Sequence, residues 1–186
     1  MLNKAKIYIV DFEDSFTFNI ANVLYPLCND LKVLNNKEFF EEYFDTIISE
    51  DKIAIILGPG PGHPNQYSKY FHQIKMLLFR KNIYLMGICL GHQIIAIQFN
   101  YEIILSANPA HGVRVLVTWN HHDYYVQRYN SLAVKSGQKS NEILLMNEVV
   151  VLDYGNGRSY QFHPESVGTE KSLYFFKDLL SFIQIS

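Results

Sequence analysis

The 186-residue sequence predicts an α/β fold: a doubly wound, mostly parallel central sheet flanked by helices, with antiparallel additions in the second half. Three observations carry this. Up to residue 100, short apolar runs alternate with segments of helical periodicity. Those runs show no polar alternation, as expected of strands covered on both faces. After residue 100 the helical segments give way to strand-like runs with short connections.

Taken in order, "KIYIV" (6–10) reads as the first strand. In "DSFTFNIANVL", Asp14 or Ser15 is suited to cap a helix, and Phe16, Ile20, Val23, Leu24 and Leu27 recur at helical spacing. "DLKVL" is a second strand, "KEFFEEYF" a helix, and "IAIIL" (53–57) a third strand. "GPGPGHP" (58–64) holds too much Gly and Pro for either regular element and must be a loop. Tyr67, Tyr70, Phe71, Ile74, Leu77 and Leu78 mark a further helix. "IYLMGI" is the next strand and "LGHQIIAIQF" the helix after it. Beyond lie the strand-like "YEIIL", "VRVLVTW", "YYVQ", "EVVVLDY" and "SYQFH", with "GNG" (155–157) as a hairpin turn. "KSLYFFKDLLSFI" closes the chain as a helix with Leu173, Phe176, Leu179, Leu180 and Ile183 on one face. With no linker, repeat or low-complexity segment, residues 1–186 are expected to form a single domain.

A net charge of −2 supplies no global field for nucleic acid or an anionic membrane, and neither is expected as a partner. No segment approaches the ~20 apolar residues that cross a bilayer. The only cysteines, Cys28 and Cys89, form no C-x-x-C pattern and have no partner at metal-ligand spacing. Two free thiols suit a reducing, cytoplasmic location. No metal or cofactor is called for.

"GICLG" (87–91) has the form G-x-C-x-G between a strand and a helix, the thiol counterpart of a nucleophile elbow. Gly87 and Gly91 give the turn the small neighbours it needs. The following helix points its N-terminus at the sulfur and favours thiolate. The N–H of Leu90 faces where an oxyanion would form. A buried cysteine packed between glycines is the competing reading. Of the seven histidines, His92 would turn away inside the helix, whereas His163 in "SYQFHPES" ends an apolar strand before Pro164. Glu165, two residues on, would lie on the same side of an extended chain and hold the imidazole. Cys89, His163 and Glu165 are therefore a candidate triad. The Gly-Pro loop follows another strand at the same sheet edge, and Gly60 or its neighbours could offer a second oxyanion donor.

"GPGPGHP", "GICLGHQ" and "QFHPES", in this order along the chain, resemble the class I (triad-type) glutamine amidotransferases. "DFEDSFTFNI" and "RYNSL" (128–132) make the chain similar to the glutaminase subunits of anthranilate synthase and aminodeoxychorismate synthase. The resemblance implies that Cys89 attacks the glutamine carboxamide. It further implies that Leu90 and the Gly60 region hold the oxyanion, and that His163, oriented by Glu165, moves the protons. Glutamine would be held by Gly60, Pro61, Gly62, Gln93 and the backbone at Ser131 and Leu132. Ammonia would pass to a separate chorismate-aminating synthase subunit in a heterodimer or larger assembly, with anthranilate as the first branch and aminodeoxychorismate as the alternative. A hydrolase of another amide, or a non-catalytic module of the same fold, are the competing classes. The chain departs from the family pattern at Phe12-Glu13, at Asn130, at Asn100-Tyr101 after the elbow helix, and at the Val following "HG" (111–112).

Overall fold

A computed structural model describes residues 6–28, 30–50 and 52–184. In chain order the strands are β1 (Ile7–Asp11), β2 (Leu31–Asn35), β3 (Ile53–Leu57), β4 (Ile83–Ile88), β5 (Ile103–Trp119), β6 (His122–Lys135), β7 (Glu142–Leu145), β8 (Glu148–Tyr154) and β9 (Gly157–Tyr160). The helices are α1 (Thr17–Leu24), α2 (Phe44–Ile48), α3 (Phe71–Leu78), α4 (Leu90–Gln98) and α5 (Ser172–Gln184). All strands join one sheet in the order β2-β1-β3-β4-β9-β8-β6-β5, with β7 paired to β8. The first five of that order are parallel; the rest are antiparallel.

Each central strand is buried on both faces because each face is covered by helices. Ile7 and Ile9 of β1, Ala54 and Ile56 of β3, and Met86 and Ile88 of β4 pack with α1 and α5. Their alternates, Tyr8, Val10, Ile53, Ile55, Leu57, Ile83 and Leu85, pack with α2, α3 and α4. Unbroken apolar runs are thus the signature of two-sided coverage rather than of a half-exposed strand.

The structure departs from the sequence reading in several places. The first helix starts at Thr17; Asp14 Oδ1 accepts from the Phe16 N–H at 2.8 Å, while Ser15 is exposed and makes no cap. Leu27 lies beyond α1 and is exposed. "KEFFEEYF" forms a π-helical segment, Glu38–Tyr43, that runs into α2 and buries Phe39, Phe40 and Phe44. A 3-10 segment, Pro64–Tyr70, precedes α3, and the His63 side chain caps it by accepting from the Asn65 N–H. "YEIIL" and "VRVLVTW" belong to one long strand, β5, interrupted by register shifts between Leu105 and Ala110 and between His111 and Val113. β7 had no counterpart in the sequence reading. Its turn to β8, Met146-Asn147, has both residues at positive φ, as a two-residue hairpin requires, but lacks the usual Asn-Gly signal. On α5, Phe175 is buried and Leu173 is half exposed, so the inward face is rotated from the one expected.

Parallel strands bring their carboxyl ends to one edge of the sheet. β1 and β3 are neighbours whose chains continue in opposite directions across the sheet, the crevice position at which open α/β sheets bind ligands. The residues after β1, β3, β4 and β9 all emerge there.

Candidate active site

Cys89 follows β4 and is the N-cap of α4, at φ 53° and ψ −104°. A non-glycine residue in that region is strained and persists only where its surroundings hold it. Here they do. The Cys89 N–H donates to Tyr160 O at 2.8 Å, and the Gly91 N–H donates to Gly58 O at 3.2 Å. A Cβ on Gly91 would stand 2.0 Å from Leu57 O, and one on Gly87 would stand 2.7 Å from Gly91 O. Both glycines are therefore demanded by close approach of backbone to backbone. Packing and display prove to be one feature: the packed glycines are what make the turn sharp enough to present the sulfur. Cys89 is 8% exposed, at the base of a cleft.

Gly60 brings the Gly-Pro loop against the elbow: its missing Cβ leaves room for Leu90 Cδ2, which would be 2.5 Å away. Gly60, Pro61, Gly62, Leu90, Gln93, Ser131 and Leu132 all line one cleft with Cys89, of about 290 Å³. Every residue expected around the sulfur from the motifs is thus brought together. A second, adjoining cleft, of about 380 Å³, shares Cys89 with the first and contains His163, Ser15 and Phe16.

His163 and Glu165 are both buried, and His163 Nδ1 lies 2.7 Å from Glu165 Oε1. The expected extended geometry is not how they meet. The chain turns at Pro164, with the Ser166 N–H donating to His163 O, and the pair closes across that turn. His163 itself is held by a bridge to β6, its N–H donating to Gln127 O at 2.9 Å. Its Nε2 has no hydrogen-bond partner among the described residues. Burial opposes protonation of this ring, but interaction with the neighbouring Cys89 sulfur and with Glu165 more than offsets it. The pKa rises to about 10. The Phe16 ring packs on the imidazole with centroids 5.1 Å apart.

His92 does turn away. It is fully buried beneath α4, with Nδ1 2.8 Å from Ser159 Oγ and Nε2 3.0 Å from Val149 O, and burial lowers its pKa to about 4. It ties α4 to β8 and β9.

Residues to which the motifs assigned no role also contribute. Asp14 and Tyr129 line both clefts. His111 sits on β5 beside a bulge at Gly112 (φ +74°), with Nε2 3.3 Å from Ser131 Oγ over the cleft. "RYNSL" proves to be part of β6, and its wall is anchored from behind. Arg128, 1% exposed, donates to Glu148 Oε2 at 2.7 Å and to Asn130 Oδ1 at 3.1 Å. Glu148 also accepts from Ser106 Oγ and the Ala107 N–H, so both oxygens of the buried carboxylate are engaged.

Among the described residues no group of His, Cys, Asp and Glu is placed to hold a metal ion, and no helix is long and apolar enough to cross a membrane.

A thiol on an elbow at the carboxyl edge of a doubly wound sheet, beside a buried His–Glu pair, defines the class: an α/β protein with the layout of a cysteine-dependent acyl-transfer enzyme. The chain belongs to the class-I glutamine amidotransferase family, whose model it matches over residues 8–182. Anthranilate synthase component 2 of Helicobacter pylori is 29% identical over 94% of this chain and 100% of its own length. The protein of the same name from Cyanidium caldarium is 30% identical over 94% of this chain and 97% of its own. A Schizosaccharomyces pombe protein named for aminodeoxychorismate synthase is 31% identical over 96% of this chain, which spans only 26% of that longer protein. Among solved structures, a glutamine amidotransferase from Thermotoga maritima superposes with a TM-score of 0.68 at 16% identity, covering 100% of this chain and 87% of the other, a likeness of fold alone.

Proposed function

We propose that this chain is a glutaminase subunit. It hydrolyses L-glutamine to glutamate and ammonia through Cys89, His163 and Glu165, in the cytoplasm, and delivers ammonia to a chorismate-aminating synthase subunit. The observation that carries the reading is the juxtaposition of Cys89, held at φ 53° on the N-terminus of α4, with a buried imidazole whose Nδ1 is fixed by Glu165 and whose Nε2 is unengaged.

The raised pKa of His163 places an imidazolium beside the sulfur that reacts. The thiolate attacks the carboxamide carbon, and the carbonyl π electrons move to oxygen. N–H groups at Leu90 and the Gly60 region stabilise that oxyanion. As the oxyanion collapses, the C–N bond breaks and His163 Nε2 gives its proton to the nitrogen, which leaves as ammonia. Water then attacks the γ-glutamyl thioester and yields a proton to the now neutral His163, and the sulfur departs as thiolate. The resulting acid loses its proton to solvent. Glu165 holds the ring orientation and stabilises its charge throughout. The wall at Gly60, Pro61, Gly62, Gln93, Ser131 and Leu132 is assigned to glutamine binding.

The synthase is proposed to dock over "DFEDSF", the Gly-Pro loop and "HGVRV". Glu13, Pro61, Gly62 and His111 are exposed and line the clefts at Cys89, and Val113, two residues after His111, is exposed as well; they suit such a role. Relatives matched over nearly their whole length carry the anthranilate synthase name, which favours that branch. The test combines the chain with candidate chorismate-aminating subunits, glutamine and chorismate, and identifies the product. Anthranilate assigns the first branch, aminodeoxychorismate the second, and both a shared subunit. Full glutaminase turnover by the chain alone, unchanged by either subunit, would favour a stand-alone hydrolase instead.

A further inference from the structure

Gln161 lies two residues before His163, is completely buried, and has no part in the steps above. Its Nε2 stands 3.9 Å from Cys89 Sγ, and its Oε1 accepts from Gln93 Nε2 at 3.1 Å. Which end of a buried amide faces a given neighbour is decided by the hydrogen-bond network around it. Here the network admits only one answer. Leu132 O can only accept, so the Gln93 atom 3.1 Å from it must be nitrogen. That same nitrogen faces Gln161, whose end must therefore be oxygen, leaving the Gln161 NH₂ toward the sulfur. The far end of the chain agrees. Arg128 can only donate, which turns Asn130 Oδ1 toward it and Asn130 Nδ2 toward Leu132 O at 2.9 Å. The Leu132 carbonyl thus accepts from both Asn130, fixed by a buried guanidinium, and Gln93, which in turn donates to Gln161, whose NH₂ is left toward the Cys89 sulfur.

We infer that Gln161 is a catalytic residue: its NH₂ is a preset hydrogen-bond donor to the Cys89 thiolate, and Gln93 acts behind it as the positioning residue that fixes the amide. The inference rests on Cys89 being the nucleophile. In the thiol state Cys89 donates to Tyr129 O at 3.8 Å. That carbonyl cannot hold an anion, so on ionisation the sulfur must turn to donors, and Gln161 offers one. The other charged or titratable groups facing the sulfur are His163 with Glu165, Glu13 and Asp14 after β1, His111 on β5 and Tyr129 on β6. None is changed by the substitutions below.

The test is the pH dependence of iodoacetamide alkylation of Cys89, without glutamine, in a Cys28→Ser background so that one thiol reports. Loss of a hydrogen bond to the charged form should move the midpoint of Gln161→Met up by about one pH unit. Gln93→Met should move it in the same direction by less. The double variant should match Gln161→Met alone, because both act through one amide. A merely structural role would lower melting temperature and leave the midpoint unmoved. If Gln161→Met does not fold, the upward shift in Gln93→Met carries the test. An unshifted midpoint in folded variants, with glutamine still protecting Cys89 of the parent from alkylation, would overturn the role of Gln161 alone. Absence of that protection in the parent would overturn the nucleophile assignment beneath it.

Discussion

Two buried histidines, His92 and His163, lie on either side of the elbow and are driven in opposite directions. Burial opposes the charge on both rings. His92 has only a hydroxyl and a carbonyl to answer it and falls to about 4, whereas His163 has the Cys89 sulfur and Glu165 and rises to about 10. The consequence for stability has two signs. Protonated His163 contributes fully below its ordinary 6.5, and the contribution is lost as pH rises through about 10. For His92 the unfolded chain takes up a proton near 6.5 and the folded chain does not, so folding is penalised increasingly as pH falls from 6.5 toward 4. Nitrogen-15 spectra should show His163 as imidazolium at pH 8 and His92 as neutral imidazole at pH 5.5. The reverse assignment would contradict the roles given to the two rings. Kinetically, His163→Ala should reduce glutamine turnover by roughly 10²–10⁴-fold, and Glu165→Gln by less, since the carboxylate orients but does not carry the transferred proton. Steady-state rates in the presence of a synthase subunit measure this; equal losses would give Glu165 a more direct part.

At the scale of elements, the elbow exists because α4 and β3 approach backbone to backbone. Gly91→Ala places a Cβ where Leu57 O stands, and neither atom belongs to a flexible side chain. We expect a loss of about 3 kcal/mol, at the upper end of ordinary overpacking, readable by urea denaturation. A variant as stable as the parent would mean that the helix can lift from the sheet without consequence. The far end of α4 shows how a departure from family pattern can be neutral. Asn100 takes φ +62° after the last turn, a conformation in which Asn is the usual substitute for Gly. Local sequence made the parallel half readable, since two-sided burial erases polar alternation and leaves apolar runs such as "IAIIL". It made the antiparallel half only partly readable. β5 is broken by bulges and looks like two strands, and β7 turns on Met-Asn, whose positive φ values are imposed by the hairpin rather than announced by residue type. The site followed the same rule. Cys89, Gly60, His163, Gln161 and Tyr129 all sit in motifs, but that these motifs meet at one sulfur is decided by strand pairing far along the chain, which no local pattern encodes.

At the scale of the molecule, the two adjoining clefts at Cys89 share Asp14, Gly60, Pro61 and Tyr129 as walls. One contains the residues assigned to glutamine and the other contains His163, so the proposed binding wall and the proposed proton carrier meet at the sulfur. Closure of the exposed rim by a partner would couple them. The isolated chain is accordingly expected to be a poor glutaminase, stimulated at least tenfold by its synthase, an increment of about 1.4 kcal/mol in the barrier. Glutamate release with and without the partner measures it, and an unstimulated rate would detach this chain from any complex.

The central claim is that Cys89 forms a covalent bond to the glutamyl group. Its most direct test is acid quenching of the Cys28→Ser protein during turnover, followed by mass analysis of the peptide that bears Cys89. The account predicts a γ-glutamyl group on Cys89, absent without glutamine, and no turnover in a correctly folded Cys89→Ser variant. Undiminished glutamate release by Cys89→Ser would contradict it.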